Sequence, residues 1–207
     1  MAILNGSISD LLSAGIGAGA VALGGILFNY AVKWARHKIK TVLVSEEAKF
    51  NIQIDAILTE LRILTHCDRV TLLRFHNGGK YFDGTAMKKM SCTNVSVAHG
   101  IDDEAKSRQD MTVTLFGMSL SHALEDVGDI TIVKDMPESF CRTYFEMKHV
   151  KAFSSVSVKL KDKPIGILAV HYCADDELPN IANKARVDEL IQAKLKLEYL
   201  LASRAGY

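Results

Sequence analysis

The chain has 207 residues, 48% hydrophobic and 24% charged, long enough for one domain with a full core plus an appendage. A net charge of +1 and a pI near 7.7 supply no global attraction to nucleic acid, so no nucleic-acid partner is expected. Cys67, Cys92, Cys141 and Cys173 stand far apart with no C-x-x-C pair, which disfavours zinc or thioredoxin chemistry and fits buried free thiols in a reducing compartment.

Residues 1–10 form a short flank without Lys or Arg. The next run, "LLSAGIGAGAVALGGILFNYAV" (residues 11–32), carries no charge. As a helix it extends roughly 33 Å at about 1.5 Å per residue, enough to cross a bilayer core. A cleaved signal peptide expects cations before the apolar run, whereas Lys33, Arg36, Lys38, Lys40 and Trp34 follow it. That order predicts a single-pass membrane protein, N-terminus outside and the rest cytoplasmic, with the lipid bilayer as partner. Gly15 and Gly19 form G-x-x-x-G, and Ala14, Ala18 and Ala22 repeat the spacing, so close helix packing and a homo-oligomer are expected. Gly and Ala are also simply common in membrane helices.

After a basic linker or stalk (residues 33–45), "VSEEAKFNIQIDAILTELRILTHC" predicts a helix capped by Ser45, with Glu46 and Glu47 in its first turn. Ala48, Ile52, Ile57, Leu58, Leu61 and Leu64 are its expected apolar face. "VTLLRF" (70–75) and "TAMKKMSCTNVSV" (85–97) predict strands, the second bent or bulged. "HGIDDEAKSRQD" reads as a polar loop or mobile flap. A helix is expected over 115–127, closed by Gly128. A short strand "ITIVKDM" and a short helix "ESFCRTYFEMKHV" follow. "FSSVSVKL" and "PIGILAVHYC", joined by "KDK", form the clearest hairpin. Both alternating sets of "IGILAVHY" are apolar, which marks a central strand covered on both faces. The last helix, "KARVDELIQAKLKLEYLLASRAG", presents Val187, Leu190, Ile191, Lys194, Leu197 and Leu201 as a stripe. Leu190, Leu197 and Leu201 are the candidates for helix–helix pairing. The fold class is therefore α+β: an antiparallel sheet with the terminal helices on one face and the middle helices and loops on the other.

That order, with Pro164, Ile165, Gly166, Leu168 and Val170 standing in a "P-I-G-x-L-x-V" strand after "SSVSVKLKDK", resembles the GAF domain over roughly residues 46–202. The resemblance implies a pocket on the sheet face opposite the terminal helices, of the kind that holds cyclic nucleotides, tetrapyrroles, haem or small metabolites. The cyclic-nucleotide Asn-Lys-Phe-Asp-Glu signature is absent, and Cys141 is followed by Arg142 instead of the His usual at a bilin attachment site. Which ligand or cofactor is bound stays unknown. The run "RFHNGG…FDG…KKMSCT" is similar to small proteins of phages and mobile elements.

Given such a pocket, Arg74, Arg142, Tyr144, His149, Ser155 and Ser157 are candidate ligand residues, and an Arg–Tyr–His set suits an anionic small molecule. "RFHNGGKYFDG" reads as a hairpin turn at Asn77-Gly78, with His76 beside it as a ligand or partner contact. No two histidines stand four residues apart and no H-E-x-x-H occurs, so no metal is expected, and Asp102-Asp103-Glu104 reads as a solvated turn. No G-x-S-x-G elbow occurs. The leading expectation is a non-enzymatic, membrane-anchored GAF-like module that self-associates and binds a small ligand or protein partner. The alternative is a structural component of an assembly, such as a phage virion or injection apparatus, with the apolar N-terminus buried or membrane-active. A weaker third is a thiol redox enzyme using Cys92 and Cys141.

Overall fold

The computed structural model describes residues 29–30, 32–33, 44–81, 83–125, 128–174 and 184–205. Most of the expected membrane helix, with Gly15, Gly19, Ala14, Ala18 and Ala22, most of the basic cluster, and Gly206 lie outside the described residues. Among those described, no helix is long and apolar enough to cross a membrane. The chain divides into two compact units, 1–48 and 49–207, and the second carries the sheet.

Helix α1 (Val44–Thr65) starts with Ser45 inside its first turn, one position from the expected cap. Strands β1 (Arg69–Lys80) and β2 (Ala86–Val97) follow, then β3 (Met111–Thr112), α2 (Gly117–Leu124), β4 (Thr131–Ile132) and α3 (Phe140–Met147). Strands β5 (Ala152–Leu160) and β6 (Lys163–Tyr172) and helix α4 (Lys184–Ala205) complete the order. The six strands form one sheet, β3-β2-β1-β6-β5-β4, and every pair is antiparallel. The β5–β6 turn is the two residues Lys161 and Asp162, both at positive φ (48° and 61°), the backbone a two-residue hairpin requires.

Alternation along the strands divides the interior in two. Val70, Leu72, Val156, Val158, Leu168, Val170 and Tyr172 pack with Ile54, Leu58 and Leu61 of α1 and Leu190, Ala193, Leu197 and Leu201 of α4. Leu73, Ile167, Ala169 and Phe153 point the other way, against Phe116, Leu120, Cys141 and Phe145. Each fully buried aliphatic side chain contributes about 1.5–3 kcal/mol. The terminal helices run side by side, joined at the surface by Lys196 and Glu60 (2.8 Å) and by Arg204 over the Phe50 ring (4.2 Å). The buried stripe of α1 is Ile54, Leu58, Leu61 and Thr65, so the expected face is corrected: Ala48, Ile52 and Leu64 are exposed. In α4 the expected stripe gains Ala193, and the Lys194 side chain is buried along it with its ammonium 3.9 Å from Glu198. Helix α2 ends at Leu124, short of the expected 127.

The largest correction falls at Asn77-Gly78. Strand β1 runs through both, pairing Asn77 with Lys88 and Lys80 with Ala86, so three steps on β1 oppose two on β2. The extra residue makes a bulge, and Gly79 holds φ 105°. The chain reverses later: Gly84 N–H donates to Tyr81 O, and Asp83 Oδ1 accepts from the amide and hydroxyl of Thr85. Asn-Gly permits a tight turn without demanding one, and the strand's ladder to β2 supplies more hydrogen bonds than an early reversal.

The glycine in "PIGILAV" has a steric cause. A Cβ on Gly166 would overlap the backbone carbonyl oxygen of Leu73 on the neighbouring strand, which has no flexible end to move aside. Gly166→Ala should therefore force β1 and β6 apart and destabilise by about 1–3 kcal/mol or more. Gly117, at the start of α2, has open space around it, so Gly117→Ala should stabilise by about 0.5–1 kcal/mol. Urea unfolding of the two variants against wild type checks both signs.

Candidate functional site

The polar loop between β2 and β3 is a flap folded onto the sheet. Asp102 and Asp103 accept the amides of Glu104 and Ala105, which starts a short 3-10 turn at Ala105–Ser107. Glu104 sits at φ 53° and turns its side chain inward. The flap is pinned to β2 where that strand bulges: Cys92 N–H donates to Arg108 O (2.8 Å), and Gln109 Nε2 donates to Cys92 O (2.8 Å).

Beneath it the charges are buried. Arg69, Thr71 and Leu73 alternate on the flap side of β1, and Arg69 stands opposite His171 of β6. Glu104 Oε2 lies 3.1 Å from Arg69 Nη1 and accepts from Arg108 Nη2 at 2.9 Å. The side chains of Arg69 and Arg108 are each only 3% exposed. Lys148 reaches Glu104 from outside at 3.5 Å. The Arg69 contact is an ion pair without hydrogen-bond alignment, since Nη1 has no formed bond. Arg108 Nη1 donates toward His171 Nδ1 across 3.5 Å. His171 is fully buried, and burial first, then the charges of Arg108 and Arg69, hold its pKa well below the ordinary value, so the ring is neutral.

Next to this cluster is a small chamber of about 30 Å³, lined by Arg108, His171, Ser155, Ser119, Tyr144 and apolar neighbours such as Met90 and Phe153. Aromatic side chains roof it: Phe116 stands edge-on to Tyr144 at 5.0 Å, and Phe145 stacks on Phe153 at 4.3 Å.

Of the expected ligand residues, Tyr144 and Ser155 line the chamber. Ser157 is fully buried on the same side of β5, beyond the lining. The other four lie away from the chamber lining. Arg74 is exposed and falls, by alternation, on the terminal-helix side. Arg142 is held by Glu146 (2.8 Å) and Met136 O (2.9 Å), a local clamp on α3. His149 is exposed at φ 53°, ending α3. His76 borders an open groove of about 380 Å³ with Phe75, Val113, Leu124 and Pro164. Its Nε2 contacts both Ser91 Oγ (2.9 Å) and Asp110 Oδ1 (3.8 Å). A nucleophile relay needs the carboxylate on the other ring nitrogen, so this set lacks that geometry. Leu190, Leu197 and Leu201 lie in the domain's own core with Ile54, Leu58 and Leu61 of α1, where the two terminal helices meet. Cys92 and Cys141 are buried, and burial pushes both thiols up, away from the reactive thiolate.

Arg69, Glu104, Arg108 and His171 escaped the sequence reading, and "DDEAKSRQD" was expected in water. Two signals were present. His171 continues the odd-numbered set Ile165, Ile167, Ala169 of a doubly covered strand, and Glu104 and Arg108 stand four apart.

Comparison with known proteins bears on this arrangement. A family model described as the GAF domain matches residues 53–183, more than half of the chain. The chain belongs to the GAF-domain family. Among solved structures it is similar to the blue-light-absorbing form of the PixJ GAF domain of Thermosynechococcus elongatus, at 19% identity, covering 80% of this chain and 95% of that one with a TM-score of 0.51. The GAF domain of a two-component sensor histidine kinase from Bacillus halodurans matches at 16% identity, 75% and 95% coverage and a TM-score of 0.52. A protein in its far-red absorbing dark state with bound biliverdin IXα matches at 17% identity, 72% and 87% coverage and a TM-score of 0.50. At these identities the likeness shows the fold alone. No curated protein matches the chain, and the resemblance of the "RFHNGG" run to phage proteins gains no support from these comparisons. The chamber of this GAF domain lies on the sheet face away from its terminal helices.

The neutral His171 gives a pH signature. Unfolded, the ring binds a proton near pH 6.5; folded, it does so only well below that. Its contribution is complete above pH 6.5 and is lost as pH falls from there toward the folded pKa. Stability should drop in that window by up to about 1.4 kcal/mol per pH unit from this one group. Urea midpoints between pH 7.5 and 5.5 check this, and His171→Gln should flatten the fall.

Proposed function

We propose that this chain is a non-enzymatic sensory module, anchored in a membrane by residues 11–32, whose cytoplasmic GAF domain takes a small ligand under the flap and self-associates. The observation that carries the reading is the buried Arg69–Glu104–Arg108 cluster beside a chamber on the GAF sheet face. A domain serving only as a spacer would gain more from apolar packing there, because burying paired charges costs several kcal/mol per ion before their attraction returns it. The chamber's ~30 Å³ also favours a ligand far smaller than the biliverdin of the similar structure.

Strand β2 offers a route outward. Cys92 holds the flap, and two positions on, Asn94 Nδ2 donates to Asp55 (2.9 Å) and Asn51 (3.3 Å) of α1. Ser96 continues the seam to Thr59 and Arg62. A shift of the flap therefore bears on α1, the helix that leads back toward the basic linker.

Self-association draws on the outer side of the terminal helices. Ile52 and Ile63 of α1, three turns apart, are 65% and 57% exposed, and Leu195 and Tyr199 of α4 are 50% and 80% exposed. A second copy seated on these residues would remove an apolar strip from water.

Two measurements on the full chain test the proposal. Expressed in bacteria, it should stay with the membrane pellet after alkaline carbonate washing; release into the supernatant counts against the anchor. Light scattering in detergent should give a dimer or larger, and Ile63→Asp with Tyr199→Asp should lower the mass. A wild-type monomer would refute self-association.

A further inference from the structure

Among the described residues, three buried side-chain polar atoms on one side of the sheet lack a hydrogen-bond partner: Arg69 Nη1, Thr71 Oγ1 and Arg108 Nε. Their placement is not scattered. Arg69 and Thr71 are alternate residues of β1, registered against His171 and Ala169 of β6, and Arg108, His171 and Ala169 all line the chamber. A guanidinium N–H can only donate, and a hydroxyl can do so. What this region lacks is an acceptor.

The charge balance has the same sign. Among the described residues, two guanidiniums, each 3% exposed, share one carboxylate, that of Glu104, whose other oxygen already faces the Lys148 ammonium at 3.5 Å. His171 adds no compensating charge, and its Nδ1 is already used as an acceptor for Arg108. Buried cations without counterions are costly, so an anion has a favourable place here. The space sets its size. About 30 Å³ holds one or two water-sized bodies. Ser155, Ser119 and Tyr144 bring further hydroxyls to the lining.

We propose that the flap chamber binds a small monovalent anion of one to four heavy atoms, such as a halide, formate or nitrate, held by Arg108 with the Arg69 and Ser155 side at its back. This rests on the reading of the chamber as the ligand site and names the ligand's chemistry. Anion and flap are then linked. The anion supplies the acceptor and the negative charge that Glu104 alone does not, so its presence holds the flap down.

The test uses the full chain in a neutral detergent, with sodium bromide replacing sodium gluconate at constant ionic strength. Gluconate is too large for the chamber. The melting midpoint should rise saturably with bromide, and crystals soaked in bromide should show an anomalous peak within hydrogen-bond distance of Arg108. Ser155→Ala, a small truncation, should shift the bromide dependence to higher concentration. Arg108→Gln, where it folds, should abolish the dependence. Equal midpoints in bromide and gluconate, an unchanged response in Arg108→Gln, or a chamber holding only water in the soaked crystals would overturn the assignment. Any of these with membrane retention and self-association intact removes the anion alone; the sensory-module reading stands or falls by those two measurements.

Discussion

The Glu104 carboxylate is the constraint on which the flap side of this domain depends. It is the acidic group in contact with both Arg69 of the central sheet and Arg108 of the flap. With the flap closed neither arginine is solvated, so both depend there on the carboxylate. The flap is thus not a loop resting on a surface. Its position is the condition under which two buried guanidiniums are tolerated, and opening it exposes them together with a neutral histidine that water would allow to charge. A closed flap and a hydrated, open one are physically distinct states separated by charge solvation. That is the kind of two-state element on which a ligand can act.

The sheet carries this condition to the other side. Leu72 and Leu73 sit next to each other in β1 and belong to different cores, and β2 bulges at the same level, between Cys92 and Asn94. Cys92 is committed to the flap and Asn94 to α1. A bulge lets one strand serve both without breaking the ladder. On the terminal-helix side the core is aliphatic, and the polar seam of Asn51, Asp55, Asn94 and Ser96 joins β2 to α1 beside it. Hydrogen bonds of that kind depend on direction, so they transmit small shifts that a greasy contact would absorb.

Much of the architecture was legible because it rests on local chemistry. The β5–β6 hairpin, the doubly covered β6 strand, the bulge in β2 and the two-sided helix arrangement all follow from alternation and turn residues. Errors arose where local preference competed with tertiary pairing. Asn77-Gly78 is a favourable turn, yet the ladder to β2 carries β1 past it. Ile52 and Leu64 are as apolar as Leu58, yet the sheet has room for one stripe of α1, and only the geometry of contact chooses it. Glu104 and Arg108 are as charged as their neighbours in "DDEAKSRQD", and composition gives no sign that a left-handed backbone at Glu104 turns these two inward. Of the residues that the resemblance places in a pocket, Tyr144 and Ser155 line the chamber. Its electrostatics were invisible because the partners come from β1, β6 and the flap, 35 to 102 residues apart by the numbering of Arg69, Glu104 and His171.

The most direct test of the account is amide hydrogen exchange at Cys92 in the native protein. Its N–H donates to the carbonyl of Arg108, so its protection reports whether the flap is closed. If the buried cluster holds the flap as part of the fold, the Cys92 amide exchanges as slowly as that of Leu168 in the central strand. Exchange at the rate of the exposed Lys106 amide would contradict it, and would mean that the flap opens freely and the charges are not committed to the interior.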